Sequence, residues 1–141
     1  MALSKLFIDS AAFIAIHSRH DGPHGPAIDF YRQLPKSTAI MTSVLVVSET
    51  YSWLRSRVGY YSASVFLDLI FDAVETRWME VVYSDPDIDR RTRQVLRKYR
   101  DHELSYTDAS SAVIMEMTGI KDVFTFDKHF VILGKRVHPG M

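Results

Sequence analysis

Short apolar runs alternate with longer amphipathic stretches along the whole chain, and no other feature of the sequence constrains the fold so tightly. A strand followed by a helix before the next strand pairs in parallel with its neighbour, and a parallel sheet must be covered on both faces. The first run, Lys5 to Ile8, ends at Asp9, and Ser10 opens a helix over "AAFIAIH". "RHDGPHGP", with its two Gly-Pro pairs, reads as a loop, and "AIDFYRQL" as a helix stopped by Pro35. "TAIMTS" is the second strand, with Ser43 placed to cap a helix from Val44 to about Val58. Gly59 suits the left-handed position just after that helix. Another amphipathic helix spans Tyr60 to about Arg77, and "MEVVY" is a strand. "SDPDID" starts a helix that runs to about Arg100, with Ser84 or Asp85 as cap, Pro86 in the first turn and acids beside the positive dipole end. Ser105 and Asp108 have capping-box spacing at the head of a helix closed by Gly119, and "DVFTF" and a terminal "KRVHP" follow. The expected architecture is a three-layer α/β/α sandwich around a mainly parallel sheet, as one domain over residues 1–141.

Composition supports that expectation and narrows the function. A chain of 141 residues with 47% apolar side chains suffices for one packed core, and 24% charged residues with zero net charge exclude a disordered or supercharged chain. Zero net charge argues mildly against a nucleic-acid binder, but it averages over patches, so the distribution of charge matters more. No apolar run is long enough to cross a membrane, and the start "MALSKLFIDSAAFIAI" carries Lys5 and Asp9 inside its apolar stretch, unlike a signal peptide. Cysteine is absent, which excludes disulfides and thiolate metal sites. A soluble cytoplasmic protein is expected.

Four acids invite a chemical reading. Each also has an ordinary structural role open to it. Asp9 ends a strand and precedes a helix, where aspartate caps well. Asp108 lies in the first turn of its helix, where the dipole favours a carboxylate. Asp127 ends a strand, where its side chain can form a turn. Glu49 has Leu45, Val46, Ser52 and Trp53 as its helical neighbours, none of them basic, which places it on or beside the buried stripe. Three of the four sit at strand ends or helix starts, on the edge where a parallel sheet places its ligands. Gathered there, they would repel one another and raise each other's pKa unless a divalent cation neutralised them. Oxygen ligands without thiols favour Mg²⁺ or Mn²⁺ over zinc, and such an ion can activate water for displacement at a phosphodiester.

Arg90, Arg93, Arg97 and Arg100 form one stripe of the helix after "SDPD", opposite Ile88, Val95, Leu96 and Tyr99. That stripe is either a solvated face or a track for phosphates, and its C-terminus leads toward Asp108. The loop "HSRHDGPHGP" holds three histidines and an arginine without any zinc-ligand spacing, so it is either a solvated loop or one that touches RNA. His129, beside Asp127, is a surface histidine or a contact to the scissile phosphate.

"LFIDSAAFIAI", "TSVLVVSE", "LSYTDASSAVIMEMTGI" and "VFTFDKHF", in that order and covering nearly the whole chain, resemble the PIN-domain nucleases, in particular the VapC-like toxin ribonucleases of toxin–antitoxin pairs. The resemblance implies a compact α/β/α domain whose acidic set, here Asp9, Glu49, Asp108 and Asp127, holds one or two Mg²⁺ or Mn²⁺ ions and cleaves RNA. It implies Asp9 and Asp108 as the tightest ligands, Asp127 as a direct or water-mediated one, and Glu49 completing the shell and orienting water. Ser10 and Thr125 match positions where a hydroxyl supports the site. It also implies a cognate antitoxin protein and a homodimer, for which the apolar excess in "VVSETYSWLRSRVGYYSASVFLDLI" offers a face. Two alternatives stay open: a non-catalytic PIN-like module binding RNA or protein, and a metal-dependent phosphohydrolase of small substrates. The first has no use for a repulsive acidic cluster, and the second would call for a Gly-rich phosphate cradle that is absent.

Overall fold

The computed structural model of the chain describes residues 3–20 and 22–140. Lys5–Ile8 form β1, followed by α1 (Ser10–His17) and α2 (His24–Gln33). β2 (Ala39–Ser43) leads into α3 (Val44–Arg57) and α4 (Tyr60–Glu75), and β3 (Met79–Val82) into α5 (Pro86–Lys98) and α6 (Tyr106–Thr118). β4 (Asp122–Phe124), a single helical turn α7 (His129–Ile132) and β5 (Arg136–His138) complete the chain. The strands form one sheet in the order β3-β2-β1-β4-β5, and every pairing is parallel. The three-layer expectation holds, with a sheet that is parallel throughout.

The order reverses direction between β1 and β4. From β1 the chain winds outward through β2 to β3, then returns to lay β4 against the other side of β1. Right-handed crossovers place the helices of the two halves on opposite faces of the sheet. Leu6, Phe7 and Ile8 of β1 are all fully buried, as a central strand covered on both faces requires. Phe7 pairs with Met41 on one side and Val123 on the other, and Ile8 pairs with Phe124. α6 is buried continuously from Asp108 to Met115, so this helix is walled in on all sides and carries an acid inward with it.

Local signals explain most boundaries. Ser43 caps α3 by accepting from the Val46 N–H at 3.2 Å, Asp85 caps α5 by accepting from Ile88 at 2.8 Å, and Ser105 caps α6 by accepting from Asp108 at 3.0 Å. Four details differ from expectation. α2 begins at His24, inside the expected loop, because His24 Nδ1 is held 2.7 Å from the Ala15 carbonyl and Pro26 is tolerated in a first turn. Gly59 has φ 134° and ψ 170°, an extended conformation reserved for glycine rather than the left-handed helical one, and it serves as the N-cap of α4. β4 stops at Phe124, although the Thr125 N–H still donates to the His138 carbonyl at 3.0 Å while its hydroxyl meets Asp9 and the Asp127 N–H. α5 stops at Lys98, short of Arg100.

Asp122, not singled out by sequence, fixes the edge strand. Its nearly buried carboxylate accepts from Arg136 Nε and Nη2, each at 2.9 Å, and lies 2.8 Å from His138 Nε2. These partners hold its pKa below the ordinary aspartate value, Arg136 most strongly. The Asp122→Asn variant is expected to lose about 1.5 kcal/mol, the low end for hydrogen bonds to charged groups because Arg136 is largely exposed, in urea unfolding at neutral pH. Because the folded pKa is depressed, the deficit relative to wild type should shrink as pH falls through it.

Candidate active site

Asp9 emerges from the C-terminal end of β1 at the point where the strand order reverses, the usual crevice for ligands in open parallel sheets. Its backbone N–H donates to the Phe124 carbonyl at 3.1 Å, extending the β1–β4 ladder by one residue. Although Asp9 stands at the N-cap of α1, its side chain makes no capping hydrogen bond, so the ordinary role fails. Instead Oδ2 accepts from Thr125 Oγ1 at 2.8 Å, while Oδ1 is buried with no partner. The Thr125 hydroxyl also accepts from the Asp127 N–H at 3.0 Å, so one side chain ties Asp9 to the loop that carries Asp127. This is the supporting position assigned to Thr125 above.

Asp127 is both a turn residue and a member of the site. Its Oδ1 accepts from the His129 N–H at 2.9 Å and lies 3.1 Å from His129 Nδ1. The same nitrogen is 3.5 Å from Asp108 Oδ2. Ligand atoms of Asp108, Asp127 and His129 all lie within 4.8 Å of one another, the group of that kind found among the described residues. Ser10 Oγ donates to Glu49 Oε1 at 2.5 Å, so Ser10 orients the fourth acid from the start of α1. Glu49 itself is exposed and lies beside the buried stripe rather than on it, with Val46 and Thr50 buried and Trp53 packed against the core.

Electrostatics mark the cluster as strained without a counter-charge. Burial, reinforced by the Asp108 charge and opposed by the Thr125 hydrogen bond, pushes the Asp9 pKa from 3.8 to about 7. Asp108 is pushed to about 6, by burial first and then by Asp127, with Glu49 adding to the repulsion. Orphaned carboxylate oxygen, mutual repulsion and an all-oxygen acidic set fit a divalent cation, which would restore the charged forms.

The residues proposed for RNA divide. The start of α5, not its end, meets α6 near Asp108: Tyr106 Oη donates to Asp89 Oδ1 at 2.8 Å, and that oxygen also accepts from Ser84 at 2.7 Å. Farther along, Lys98 and Tyr99 line a cavity with Glu116 and Met117, so the two helices run side by side in one direction. Arg97 therefore sits at the end of α5 farther from Asp108, and Arg100 lies beyond that helix, its Nη1 donating to the Arg97 carbonyl at 3.2 Å. Arg90 is paired with Asp87, as is Arg91 at 3.2 Å. From the histidine-rich loop, His17, Arg19 and His20 join Trp53 and Arg57 around a cavity of about 710 Å³. Trp53 and Arg57 continue the face of α3 that bears Glu49, at spacings of four, a signal present in the sequence and not used. On α4, Tyr60, Tyr61, Leu69 and Phe71 are exposed, which bears out an apolar excess on that helix.

Comparisons with known proteins agree with this geometry. Residues 6–135 match the PIN domain family. The chain is 26% identical over 129 residues to the 23S rRNA-specific endonuclease VapC20 of Mycobacterium tuberculosis, covering 92% of this chain and 94% of that protein. The crystal structure of M. tuberculosis VapC20, described as a Sarcin-Ricin loop cleaving toxin, superposes with a TM-score of 0.82 at 25% identity over 92% of this chain and 95% of that one. The fold also matches VapBC2 from Rickettsia felis bound to a DNA fragment from their promoter (TM-score 0.70, 10% identity, 95% and 97% coverage). FitAcB from Neisseria gonorrhoeae shares it at a TM-score of 0.64, with 13% identity and 94% and 95% coverage.

Asp9 and Asp108 hold their protons more tightly in the folded chain than in the unfolded one. Between about pH 4 and pH 7 the folded state thus binds more protons, and stability falls as pH rises through that window. Thermal unfolding of metal-free protein should give a Tm that declines from pH 5 to pH 8. Asp9→Asn should flatten that decline and raise the Tm at pH 8.

Proposed function

The chain belongs to the PIN domain family, and on that premise we propose that it is a metal-dependent endoribonuclease that hydrolyses RNA phosphodiester bonds as the toxin of a toxin–antitoxin pair. The observation that carries this reading is the buried, partnerless oxygen of Asp9, held beside the charges of Asp108 and Asp127 at the switch point of the sheet. A binding module gains nothing from keeping such an oxygen unsatisfied.

Asp9, Asp108 and Asp127, with Glu49 on the rim, hold Mg²⁺ or Mn²⁺ in this reading. When bound, the ion supplies Lewis-acid stabilisation of charge on the phosphodiester and lowers the pKa of water. The chain's own residues do the rest. Thr125 fixes the Asp9 carboxylate and the Asp127 backbone through one hydroxyl, and Ser10 fixes Glu49. Glu49, exposed at the mouth of the cleft, completes the shell and orients the attacking water in this reading. The RNA backbone crosses the acid edge, with Arg90 and Arg93 of α5 on the side nearer Asp108. His17, Arg19, His20, Trp53 and Arg57 flank the other side with cations and a stacking surface. VapC20 suggests ribosomal RNA as the substrate class.

An antitoxin and a second copy of the chain are the proposed partners, with the exposed apolar residues of α4 as the surface offered. None of the described helices is long and apolar enough to cross a membrane, in keeping with a cytoplasmic site of action for a single nuclease domain over residues 1–141.

Cleavage of a ribosomal RNA fragment tests the reading. Purified protein should cut it in Mn²⁺ and stop in EDTA. Asp9→Asn and Asp108→Asn should each lose about 10²- to 10³-fold in rate, as expected when a group stabilising transition-state charge is removed. Cutting that persists in EDTA, or turnover of phosphomonoesters alone, would move the protein to another class.

A further inference from the structure

Asp108 and Asp127 converge on a nitrogen, not only on each other. We propose that His129 is a metal ligand: its Nδ1 joins Asp108 and Asp127 in a mixed nitrogen–oxygen face, so the site takes Mn²⁺ in preference to Mg²⁺. The inference rests on the metal-site reading above and specifies its ligands.

His129 is placed rather than loose. It opens α7 two residues after Asp127, its backbone N–H is fixed on Asp127 Oδ1 at 2.9 Å, and its neighbour Phe130 is fully buried, anchoring the turn. The ring nitrogen Nδ1 lies 3.1 Å from Asp127 Oδ1 and 3.5 Å from Asp108 Oδ2, yet it is buried and has no hydrogen-bond partner. At 3.1 Å a hydrogen bond fails only on direction, so the oxygen lies well off the axis of the nitrogen's lone pair. Two ligands on adjacent corners of one octahedral ion have the same relation. With bonds of about 2.1 Å their atoms stand about 3 Å apart, and neither lies on the other's axis. An ion pair of imidazolium with the two carboxylates would instead draw an N–H onto one of the oxygens.

The chemistry of the ligand set then gives the selectivity. Magnesium prefers oxygen and gives up its waters reluctantly, whereas imidazole is a good ligand for the later divalent ions. Between the two ions of the proposed site, one imidazole corner disfavours Mg²⁺, the more reluctant to give up its waters, and leaves Mn²⁺ preferred.

Pulsed electron paramagnetic resonance on protein loaded with Mn²⁺ alone reads the ligand directly. Wild type should show the ¹⁴N modulation of a directly bound imidazole, and His129→Gln should abolish it. His129→Asp, which returns an oxygen ligand, should still bind Mn²⁺ without the nitrogen signal. The Mn²⁺ over Mg²⁺ affinity ratio, measured by competition, should drop about tenfold or more in both variants, at least the loss seen for outer-shell partners of metal ligands. Absence of nitrogen modulation in wild type, or its survival in both variants, would overturn the assignment. If such protein still cuts RNA in an Asp9-dependent way, the nuclease reading stands and only the His129 ligand falls. Failure of wild type to bind Mn²⁺ would remove both.

Discussion

The parallel pairing of β1 with β4 is the contact on which the rest depends. It joins segments from the two ends of the chain, and its last hydrogen bond, from Asp9 N–H to the Phe124 carbonyl, delivers one carboxylate into the crevice where Thr125 and Asp127 follow. A shift of one residue in this register would turn Asp9 to the other face of the sheet. The fully buried Phe7, Ile8, Val123 and Phe124 oppose such a slip, since their side chains would exchange faces with it. Core packing in these two strands therefore sets the position of a charged side chain, and the geometry of the acids follows from burial of their apolar neighbours.

That rigidity has an electrostatic cost which the fold concentrates in a small volume. Asp108 comes in on a helix buried along most of its length, so it cannot swing to solvent as a surface aspartate would. Asp9 is held by a hydroxyl on one oxygen and left bare on the other. Asp127 and Glu49, at the mouth, are freer. Burial thus grades from Asp9 and Asp108 inside to Asp127 and Glu49 at the mouth, an order that in the proposed reading holds an ion firmly and leaves it open to a polymeric substrate.

Much of this was legible from residue order. The alternation of strand and helix gave the layered architecture, and the caps at Ser43, Asp85 and Ser105 were readable because each rests on local chemistry. The convergence of the acids required the order of strands in the sheet, which the resemblance carried and periodicity did not. Glu49 could be placed on or beside the buried stripe but no more closely, because helical neighbours report the helix's own faces and not the Ser10 hydroxyl of another helix. His129 read as a surface histidine or a contact to the scissile phosphate, since nothing in "DKHF" reveals that its ring nitrogen comes back beside Asp127 and Asp108. The arginine stripe was read correctly as a stripe, but its direction depended on α5 and α6 running side by side. Asp122 gave no signal, because its partners come from a strand formed by residues 136–138.

The strand order also has a temporal meaning. Synthesis and folding proceed from the N-terminus, and β1, β2 and β3 can assemble while the chain is still incomplete. That early half holds Asp9 and Glu49 but lacks Asp108, the Thr125 tether, Asp127 and His129. The acidic crevice is complete only when β4 slots in beside β1, a contact closing a loop of more than a hundred residues and among the slowest kinds to form. A nascent chain of this topology acquires its shape first and its chemistry last.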